Sequence, residues 1–213
     1  MAADIIPGER DVLLVVDVQN DFCPEGALGV TEGDAVVPVI NRIQPGFAHV
    51  VLTQDWHPAG HQSFASTHPG HQPFETVEVA YGPQTLWPDH CVQGTPGAAF
   101  HPDLDTDKAE MIVRKGTRAE IDSYSAFYEN DRTTATGLAG YLRERGLTRV
   151  FICGLATDFC VHFSALDAAR EGFEVVVIED ACRGIDLEGS LAAAKQAMVA
   201  AGVAFIASAA LGA

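Results

Sequence analysis

Four side chains that could take part in a reaction stand at the ends of apolar segments far apart in the sequence: Asp17, Asp55, Lys115 and Cys160. The carboxyl ends of parallel strands meet at one edge of a sheet, where α/β proteins bind their ligands. Each residue alone has a simpler explanation, such as a capping aspartate, a surface lysine or a buried cysteine. Four together at one sheet edge instead favour catalysis with the cysteine as nucleophile.

The surroundings of Cys160 predict where its sulfur lies. Val150–Cys153 has the apolar character of a buried strand, residues 154–157 form a turn, and a helix then continues to about residue 171. Thr157 and Asp158 are both good N-cap residues, so Cys160 is expected in the first helical turn. The free N–H groups and the dipole at a helix start favour a thiolate over a thiol.

A cysteine nucleophile needs a base that accepts its proton or a cation that holds it as a thiolate, and Asp17 and Lys115 are the candidates. His162 lies two residues along the same helix as Cys160 and therefore points elsewhere. A carboxylate in a dry pocket has a raised proton affinity, so Asp17 could take the thiol proton and pass it to a leaving amine. Lys115 would offset its charge. The backbone amides of Ala156 and Cys160 could bind an oxyanion, or could serve only as helix caps.

Strands that alternate with helices must place these residues. The strands are predicted at Asp11–Val18, His49–Gln54, Glu110–Arg114, Val150–Cys153, Glu174–Glu179 and Val203–Ile206. The helices are predicted at about Gly33–Ile43, Thr136–Arg145, 157–171 and Leu187–Ala201, with Pro38 awkward for a helix interior. This alternation predicts a three-layer α/β/α fold with a mostly parallel sheet of about six strands. We expect residues 1–213 to form a single domain.

One long segment, at about residues 54–108, departs from this alternation. The stretch from His49 to Asp107 holds seven of the 11 prolines and seven of the 8 histidines. A connection of this length is typically functional, and we predict that it binds metal and substrate. Asp55 and His57 offer a carboxylate and an imidazole on one side of an extended segment, a pair that suits zinc, iron or manganese. The further candidate ligands are His61, His68, His71 and His90. A capping aspartate beside a surface histidine remains the alternative.

Composition limits the partners and the cellular compartment that we expect for the protein. The net charge of −16 repels nucleic acid and anionic membranes, so neither is expected as a partner. The five cysteines show no CxxC pair, the N-terminus shows no signal peptide, and no apolar run approaches the roughly 20 residues of a membrane span. We therefore expect a cytoplasmic protein with free thiols.

Five segments, spread over nearly the whole chain, resemble a known family. They are VVDVQNDFCPEGAL at Val15–Leu28, TQDWHPAGHQSF at Thr53–Phe64, LWPDHCVQGTPGAAFHP at Leu86–Pro102, RKGT at Arg114–Thr117 and GLATDFCV at Gly154–Val161. Together they are similar to the nicotinamidases, which are also pyrazinamidases and belong to the isochorismatase-like cysteine hydrolases.

The resemblance implies roles for particular residues. It implies a catalytic triad of Asp17, Lys115 and Cys160, and an oxyanion hole from the amides of Ala156 and Cys160 beside a cis Leu155–Ala156 bond. It implies that Asp55, His57 and His90 hold one divalent metal ion, either zinc or iron, with manganese as a further candidate. His61 matches a histidine that is a direct ligand in some members and stands behind the ligands in others. The aromatic walls of the substrate slot would be Phe22, Trp87 and Tyr124.

The resemblance also implies the reaction, which is hydrolysis of nicotinamide to nicotinate and ammonia through a cysteine thioester. The metal would hold the pyridine nitrogen, and pyrazinamide would also be accepted. Two alternatives stay open: a carbamoyl or ureido amidohydrolase, whose relatives lack the metal ligands, and a binding scaffold without activity. The Ala-rich helices near the last strands could pack against a second subunit to form a homo-oligomer, or against their own sheet.

Overall fold

The computed structural model describes residues 5–212, so the expectations for residues 1–4 and for Ala213 lie outside the described residues. These residues contain eight strands: β1 (Asp11–Val16), β2 (His49–Asp55), β3 (Thr76–Val79), β4 (Gly82–Thr85), β5 (Ala109–Lys115), β6 (Arg149–Leu155), β7 (Glu174–Arg183) and β8 (Ala204–Ile206). Six of them form a parallel sheet in the order β5-β2-β1-β6-β7-β8. The order reverses at β1, because the chain first builds outward through β2 and then returns to add β6 on the other side.

In the described part of the chain four α-helices cover the sheet: α1 (Val36–Ile43), α2 (Leu138–Glu144), α3 (His162–Arg170) and α4 (Ser190–Ala200). Helix α1 packs on β6 and β7, while α3 and α4 pack against each other. The predicted three-layer α/β fold with about six strands is confirmed. No helix among residues 5–212 is long and apolar enough to cross a bilayer.

Strand β1 forms the centre of the core. All six of its residues are buried, including Leu13 and Val16 with no exposed surface. A strand covered on both faces by helices reads as a continuous apolar run, which is why β1 stands out in the sequence. Each valine or leucine buried in this way contributes about 1.5–3 kcal/mol relative to full exposure. The strand therefore gives the residue that follows it a rigid point of attachment.

Several predicted boundaries were wrong. The strand predicted to end at Glu179 continues to Arg183, and the helix predicted from Leu187 begins only at Ser190. Two further differences have local reasons. The first strand ends at Val16 rather than at Val18, because Asp17 has a φ of 48° and leaves the extended conformation. Residues Gly33–Ala35 form a 3₁₀ turn, and α1 begins only at Val36. Pro38 therefore lies in the first turn of α1, where its missing N–H would have had no partner within the helix.

The segment between β2 and β5 contains little regular structure. Its only described strands are β3 and β4, which form an antiparallel hairpin with Val79 opposite Gly82. Isolated bridges join His57 to Val92 and Phe64 to Trp87 within the segment, and another joins Phe100 to Gln19, just beyond β1. The segment thus folds back over the carboxyl ends of the strands, where the candidate site lies.

Candidate active site

The four sequence-predicted side chains meet at the carboxyl edge of the sheet. Asp17 follows β1 and Cys160 follows β6, so they flank the place where the strand order reverses, which is the usual ligand site of such sheets. Asp55 and Lys115 end β2 and β5 and stand opposite each other in the strand register. The topology alone therefore brings residues 17, 55, 115 and 160 to one place.

The ammonium of Lys115 is the hub of this cluster. Its Nζ lies 2.8 Å from Asp17 Oδ2, 2.5 Å from Asp55 Oδ1 and 3.3 Å from Cys160 Sγ. It also donates to the backbone oxygen of Ser123 at 2.9 Å. Burial alone would lower the pKa of Lys115, but the carboxylates of Asp17 and Asp55 raise it well above its usual value. Lys115 therefore stays a cation between the two acids.

Asp17 is fully buried and is held from two sides. The Thr53 hydroxyl on β2 donates to Asp17 Oδ1 at 2.6 Å, and the Asp17 amide donates to the same hydroxyl oxygen at 3.1 Å. Burial raises the pKa of Asp17, and the Lys115 ammonium offsets that rise only in part. Asp17 is therefore a stronger base than an ordinary aspartate. Sequence reasoning missed Thr53, although its alternation with Asp55 along β2 places both side chains on one face.

Cys160 lies in a π-helical turn, Thr157–Val161, rather than in the first turn of an α-helix. Such turns occur mostly as single insertions and frequently at functional sites. The thiol is buried, and potential ligand atoms of Asp17, Asp55 and Cys160 all lie within 4.8 Å of one another. Burial raises the pKa of Cys160 well above its usual value, although Lys115 opposes this. The expected helix-start thiolate was therefore wrong: burial and the nearby carboxylates raise the pKa of Cys160 and favour the thiol.

The turn before Cys160 is shaped by a close approach of strands. Gly154 has a φ of 113°, and a Cβ there would lie 2.1 Å from the Val16 backbone oxygen, so only glycine fits beside β1. The Leu155–Ala156 peptide bond is cis, as the resemblance implies. Ala156 lines the same small cavity as Cys160. The amides proposed as an oxyanion hole therefore belong to residues beside one cavity.

The expected capping by Asp158 was wrong. The turn that carries Cys160 begins after Ala156 without a side-chain cap. The Asp158 carboxylate instead accepts hydrogen bonds from Ile185, Asp186 and Ser190, which follow β7. Asp158 therefore has the local sequence pattern of a helix cap, but its hydrogen bonds go to residues that lie far along the chain.

A group suited to a metal ion stands directly beside the Lys115 cluster. Asp55 Oδ2 lies 3.6 Å from His57 Nε2 and 3.9 Å from His90 Nε2. The Nδ1 atoms of the two histidines face backbone oxygens, that of Gly116 at 3.0 Å and that of Pro88 at 2.8 Å. Those contacts suit N–H groups at Nδ1, which leaves each Nε2 lone pair toward Asp55. This is the usual arrangement of metal-binding histidines, so the three residues fit a divalent ion.

The charges of the three groups agree with that fit. Burial lowers the pKa of His90 to about 4, so its imidazole is neutral at pH 7. Burial also opposes a charge on His57, but a hydrogen bond donated by its protonated ring to Asp55 raises its pKa overall, and a bound metal would replace that proton. Lys115 holds the pKa of Asp55 below its usual range against the effect of burial.

Of the remaining candidate ligands, His61 lies beside His57, whereas His68 and His71 lie farther away. His61 belongs to a second group with His57 and Asp122, its Nδ1 is 2.7 Å from Ser63 Oγ, and its Nε2 is 3.3 Å from the Ile121 oxygen. His68 contacts the Gln62 oxygen at 2.7 Å. His71 faces Glu75 at 2.8 Å on the surface. Within residues 5–212 neither His68 nor His71 joins a group that could hold an ion.

Aromatic residues line the cavity above Cys160. Phe22, Trp87 and Tyr124, which the resemblance suggests as walls, all border it. Trp87 Nε1 donates to the Tyr124 hydroxyl at 3.1 Å, which fixes the two rings at a steep angle. The cavity has further walls that sequence reasoning missed: Leu28, Asp122, Phe159 and Ile185. Of these only Phe159 had a signal, its position next to Cys160.

The model of the isochorismatase domain matches residues 11–210. The chain belongs to the isochorismatase family. Within that family it is 56% identical over 191 residues to a nicotinamidase of Acinetobacter baylyi. The aligned region covers 90% of this chain and 89% of that protein. The family resemblance of the sequence is thus confirmed.

Solved structures of related proteins agree with this isochorismatase domain over almost its whole length. A nicotinamidase/pyrazinamidase of Acinetobacter baumannii has a TM-score of 0.94 and 57% identity, covering 95% of this chain and 98% of that one. PnC1 of L. infantum in complex with nicotinate has a TM-score of 0.86 and 41% identity, covering 98% of each chain. A pyrazinamidase of Pyrococcus horikoshii in complex with zinc has a TM-score of 0.75 and 39% identity, covering 93% and 99%.

Proposed function

We propose that this protein is a nicotinamidase, an amidohydrolase that converts nicotinamide to nicotinate and ammonia. The observation that carries the proposal is the contact of Lys115 with Asp17, Asp55 and Cys160 at the floor of one aromatic-walled cavity. Nicotinamidases at high identity, and a relative in complex with nicotinate, support the choice of substrate. Residues 1–213 act as one domain, in which segment 54–108 contributes the metal ligands and part of the cavity.

Acylation begins with a proton transfer from Cys160 to Asp17. Both groups have a pKa raised by burial, which brings the acceptor closer to the thiol in proton affinity than an exposed aspartate would be. The sulfur then attacks the carboxamide carbon, and the C=O electron pair moves to oxygen. The amides of Ala156 and Cys160 bind this oxyanion. The C–N bond breaks as the nitrogen takes the proton from Asp17, which releases ammonia and leaves a thioester.

Deacylation uses the same groups in reverse. Asp17, again ionised, takes a proton from a water molecule that attacks the thioester carbon. The C–S bond breaks, the sulfur recovers a proton from Asp17, and nicotinate leaves. Throughout, Lys115 remains protonated and compensates the negative charge that alternates between Asp17 and the reacting atoms, because its pKa is raised well above the usual value.

Asp55, His57 and His90 would hold the divalent metal ion. An ion bound there supplies a Lewis acid that can accept the lone pair of a ring nitrogen. Carboxylate and imidazole donors suit zinc and iron, with manganese as a further candidate, and a relative is known in complex with zinc. We propose zinc or iron for this chain.

The walls of the cavity select the substrate. Phe22, Trp87 and Tyr124 offer flat apolar surfaces to a flat heteroaromatic ring. Pyrazinamide has the same carboxamide beside a ring nitrogen, so it is the second substrate we propose. All five cysteines are free thiols, which suits the reducing cytoplasm that the sequence analysis favours.

Ammonia release from nicotinamide tests the proposal. We expect equal amounts of ammonia and nicotinate from the native protein, loss of turnover after chelation, and recovery when the metal is restored. The Cys160→Ala variant should bind nicotinamide but show no measurable turnover. A native protein that holds metal yet leaves nicotinamide intact would contradict the substrate. Metal-free native protein that hydrolyses carbamoyl or ureido compounds would revive the rival amidohydrolase.

A further inference from the structure

The segment that runs from the end of β7 to the first residue of α4, residues 184–190, contributes to one wall of the cavity. We call it the 184–190 loop. Ile185 of this loop borders the cavity together with Phe159 and Cys160. Its backbone is irregular, since Asp186 and Glu188 have φ values of 58° and 51°. A loop of this kind needs contacts outside itself if Ile185 is to keep a fixed position.

Three such contacts come from one side chain, Asp158, in the turn that carries Cys160. The amide of Ile185 donates to Asp158 Oδ1 at 3.0 Å, and the amide of Asp186 donates to Oδ2 at 2.8 Å. The Ser190 hydroxyl also donates to Oδ2, at 2.5 Å. Asp158 is only 3% exposed, so water does not compete for these bonds. One carboxylate thus holds both ends of the loop.

The loop also packs tightly on Asp158. A Cβ added to Gly184 would lie 3.1 Å from Asp158 Oδ1 and 2.8 Å from Leu191 Cδ1. The first residue of the loop is therefore a glycine that lets the backbone approach the carboxylate. The hydrogen bonds and this close approach fix the loop relative to the cysteine turn, and with it the distance from Ile185 to the substrate.

We propose that Asp158 is a positioning residue, and that through it Ile185 becomes the specificity-determining wall that fits an unsubstituted pyridine ring. The inference rests on the proposed function, because it assigns the ring of nicotinamide to this cavity. Asp158 acts on substrate binding through the loop, not on the reacting sulfur. The Asp158→Asn change replaces one acceptor oxygen with an NH₂ group that faces donors, so it should free the loop without a change of side-chain size.

Steady-state kinetics on nicotinamide and on its ring-methylated derivatives test this inference. Asp158→Asn and Ile185→Ala should each raise KM about tenfold, while kcat changes about threefold or less. Because both changes act through the same wall, the double variant should show a KM close to that of Asp158→Asn alone. Ile185→Ala should also raise the kcat/KM of at least one methylnicotinamide relative to nicotinamide.

The matched control is Asp131→Asn. Asp131 likewise accepts two backbone N–H bonds and one hydroxyl bond, from Thr133 and Thr134, but its turn lies outside the cavity. We expect its KM to stay native. Hydrogen exchange should show faster exchange of residues 184–190 in Asp158→Asn and no change there in Asp131→Asn.

Three results would overturn the inference: additive KM effects in the double variant, unchanged exchange of the 184–190 loop, or a fall in kcat alone. The last would mean that Asp158 acts on the cysteine turn. If Asp158→Asn does not fold, Ser190→Ala removes one of the three bonds and should raise KM in the same direction by a smaller factor. A native protein inactive on nicotinamide would instead contradict the proposed function, whereas the exchange experiment still tests whether Asp158 holds the 184–190 loop.

Discussion

Asp17 and Asp55 flank the same ammonium, that of Lys115, yet their surroundings move their pKa values in opposite directions. The Nζ atom is 2.8 Å from Asp17 and 2.5 Å from Asp55. For both acids burial is the largest effect and raises the pKa. At Asp17 the effect of burial is larger than that of Lys115, and the nearby charge of Asp55 raises the pKa further. At Asp55 the Lys115 charge, followed by His57 and His90, outweighs it and lowers the pKa.

This difference separates the two halves of the site. An acid with a raised pKa can exchange a proton with a neighbouring thiol, whereas an acid with a lowered pKa stays ionised and suits a metal ion. Lys115 is shared by both. The four predictions that follow test whether Asp17 and Asp55 divide the chemistry in this way, in order of decreasing effect.

Asp17→Asn should cause the largest loss. Asparagine cannot accept the thiol proton, so kcat/KM should fall by about 10²–10⁴-fold, the range of general acid–base catalysis. The metal content should stay native, because Asp17 is not part of the Asp55, His57 and His90 group. Steady-state kinetics and metal analysis on the same sample check this. Loss of metal together with activity would show that the two halves are not separate.

Asp55→Asn should have the opposite profile. Its primary effect should be a metal affinity lowered by more than about 100-fold, since loss of mere supporting residues already costs 10–100-fold. Activity should fall as a consequence and recover in part when metal is added in excess. Competition with a chelator measures the affinity. A native affinity in this variant would remove Asp55 from the ligand set.

Thr53→Val should alter the pH profile rather than abolish activity. The Thr53 hydroxyl donates to Asp17 Oδ1 and so favours the carboxylate. Without it the pKa of Asp17 rises further, and the acid limb of kcat/KM moves to higher pH. The loss of one hydrogen bond worth about 1 kcal/mol corresponds to a roughly fivefold fall near neutral pH. Thr95→Val, whose hydroxyl bonds within a surface turn, should leave the profile unchanged.

The smallest effect concerns stability in metal-free protein. The pKa of Asp17 in the folded protein is raised above 3.8, the value in the unfolded chain. Ionisation of Asp17 therefore lowers the stability of the folded protein as the pH rises above 3.8. A folded pKa lowered below 3.8, as for Asp55, means that ionisation contributes stability, which is lost as pH falls through the folded pKa. At pH 7 we therefore expect Asp17→Asn to raise Tm and Asp55→Asn to lower it, by about 2–4 °C per kcal/mol. Changes of equal sign would contradict the comparison.

Much of this arrangement follows from the sequence because parallel sheets align strand ends. Asp17, Asp55 and Lys115 each end or directly follow an apolar run of strand length, so their meeting could be predicted before β1, β2 and β5 were seen as neighbours. The fold class followed from the same alternation. The assignment of catalytic and ligand roles still depends on the resemblance and remains a prediction.

What could not be predicted depends on contacts across the chain. The pKa of Cys160 reflects burial by distant segments, whereas the sequence around it shows only a helix start. Asp158 has the local pattern of a cap, but its partners lie about 30 residues later, at Ile185 and beyond. The sequence alone does not show which histidines lie near Asp55. The fold places His90 beside Asp55, whereas His68 and His71 join no group that could hold a metal ion among the described residues.

The most direct test of the account is the mass of the protein when its reaction with nicotinamide is stopped by acid within one turnover. We expect a fraction of the molecules to carry one nicotinoyl group, and the modified peptide to be the one that contains Cys160. Asp17→Asn should show far less of this adduct, and Cys160→Ala none. Rapid nicotinate formation with no acyl group on residue 160 would contradict nucleophilic catalysis by this thiol.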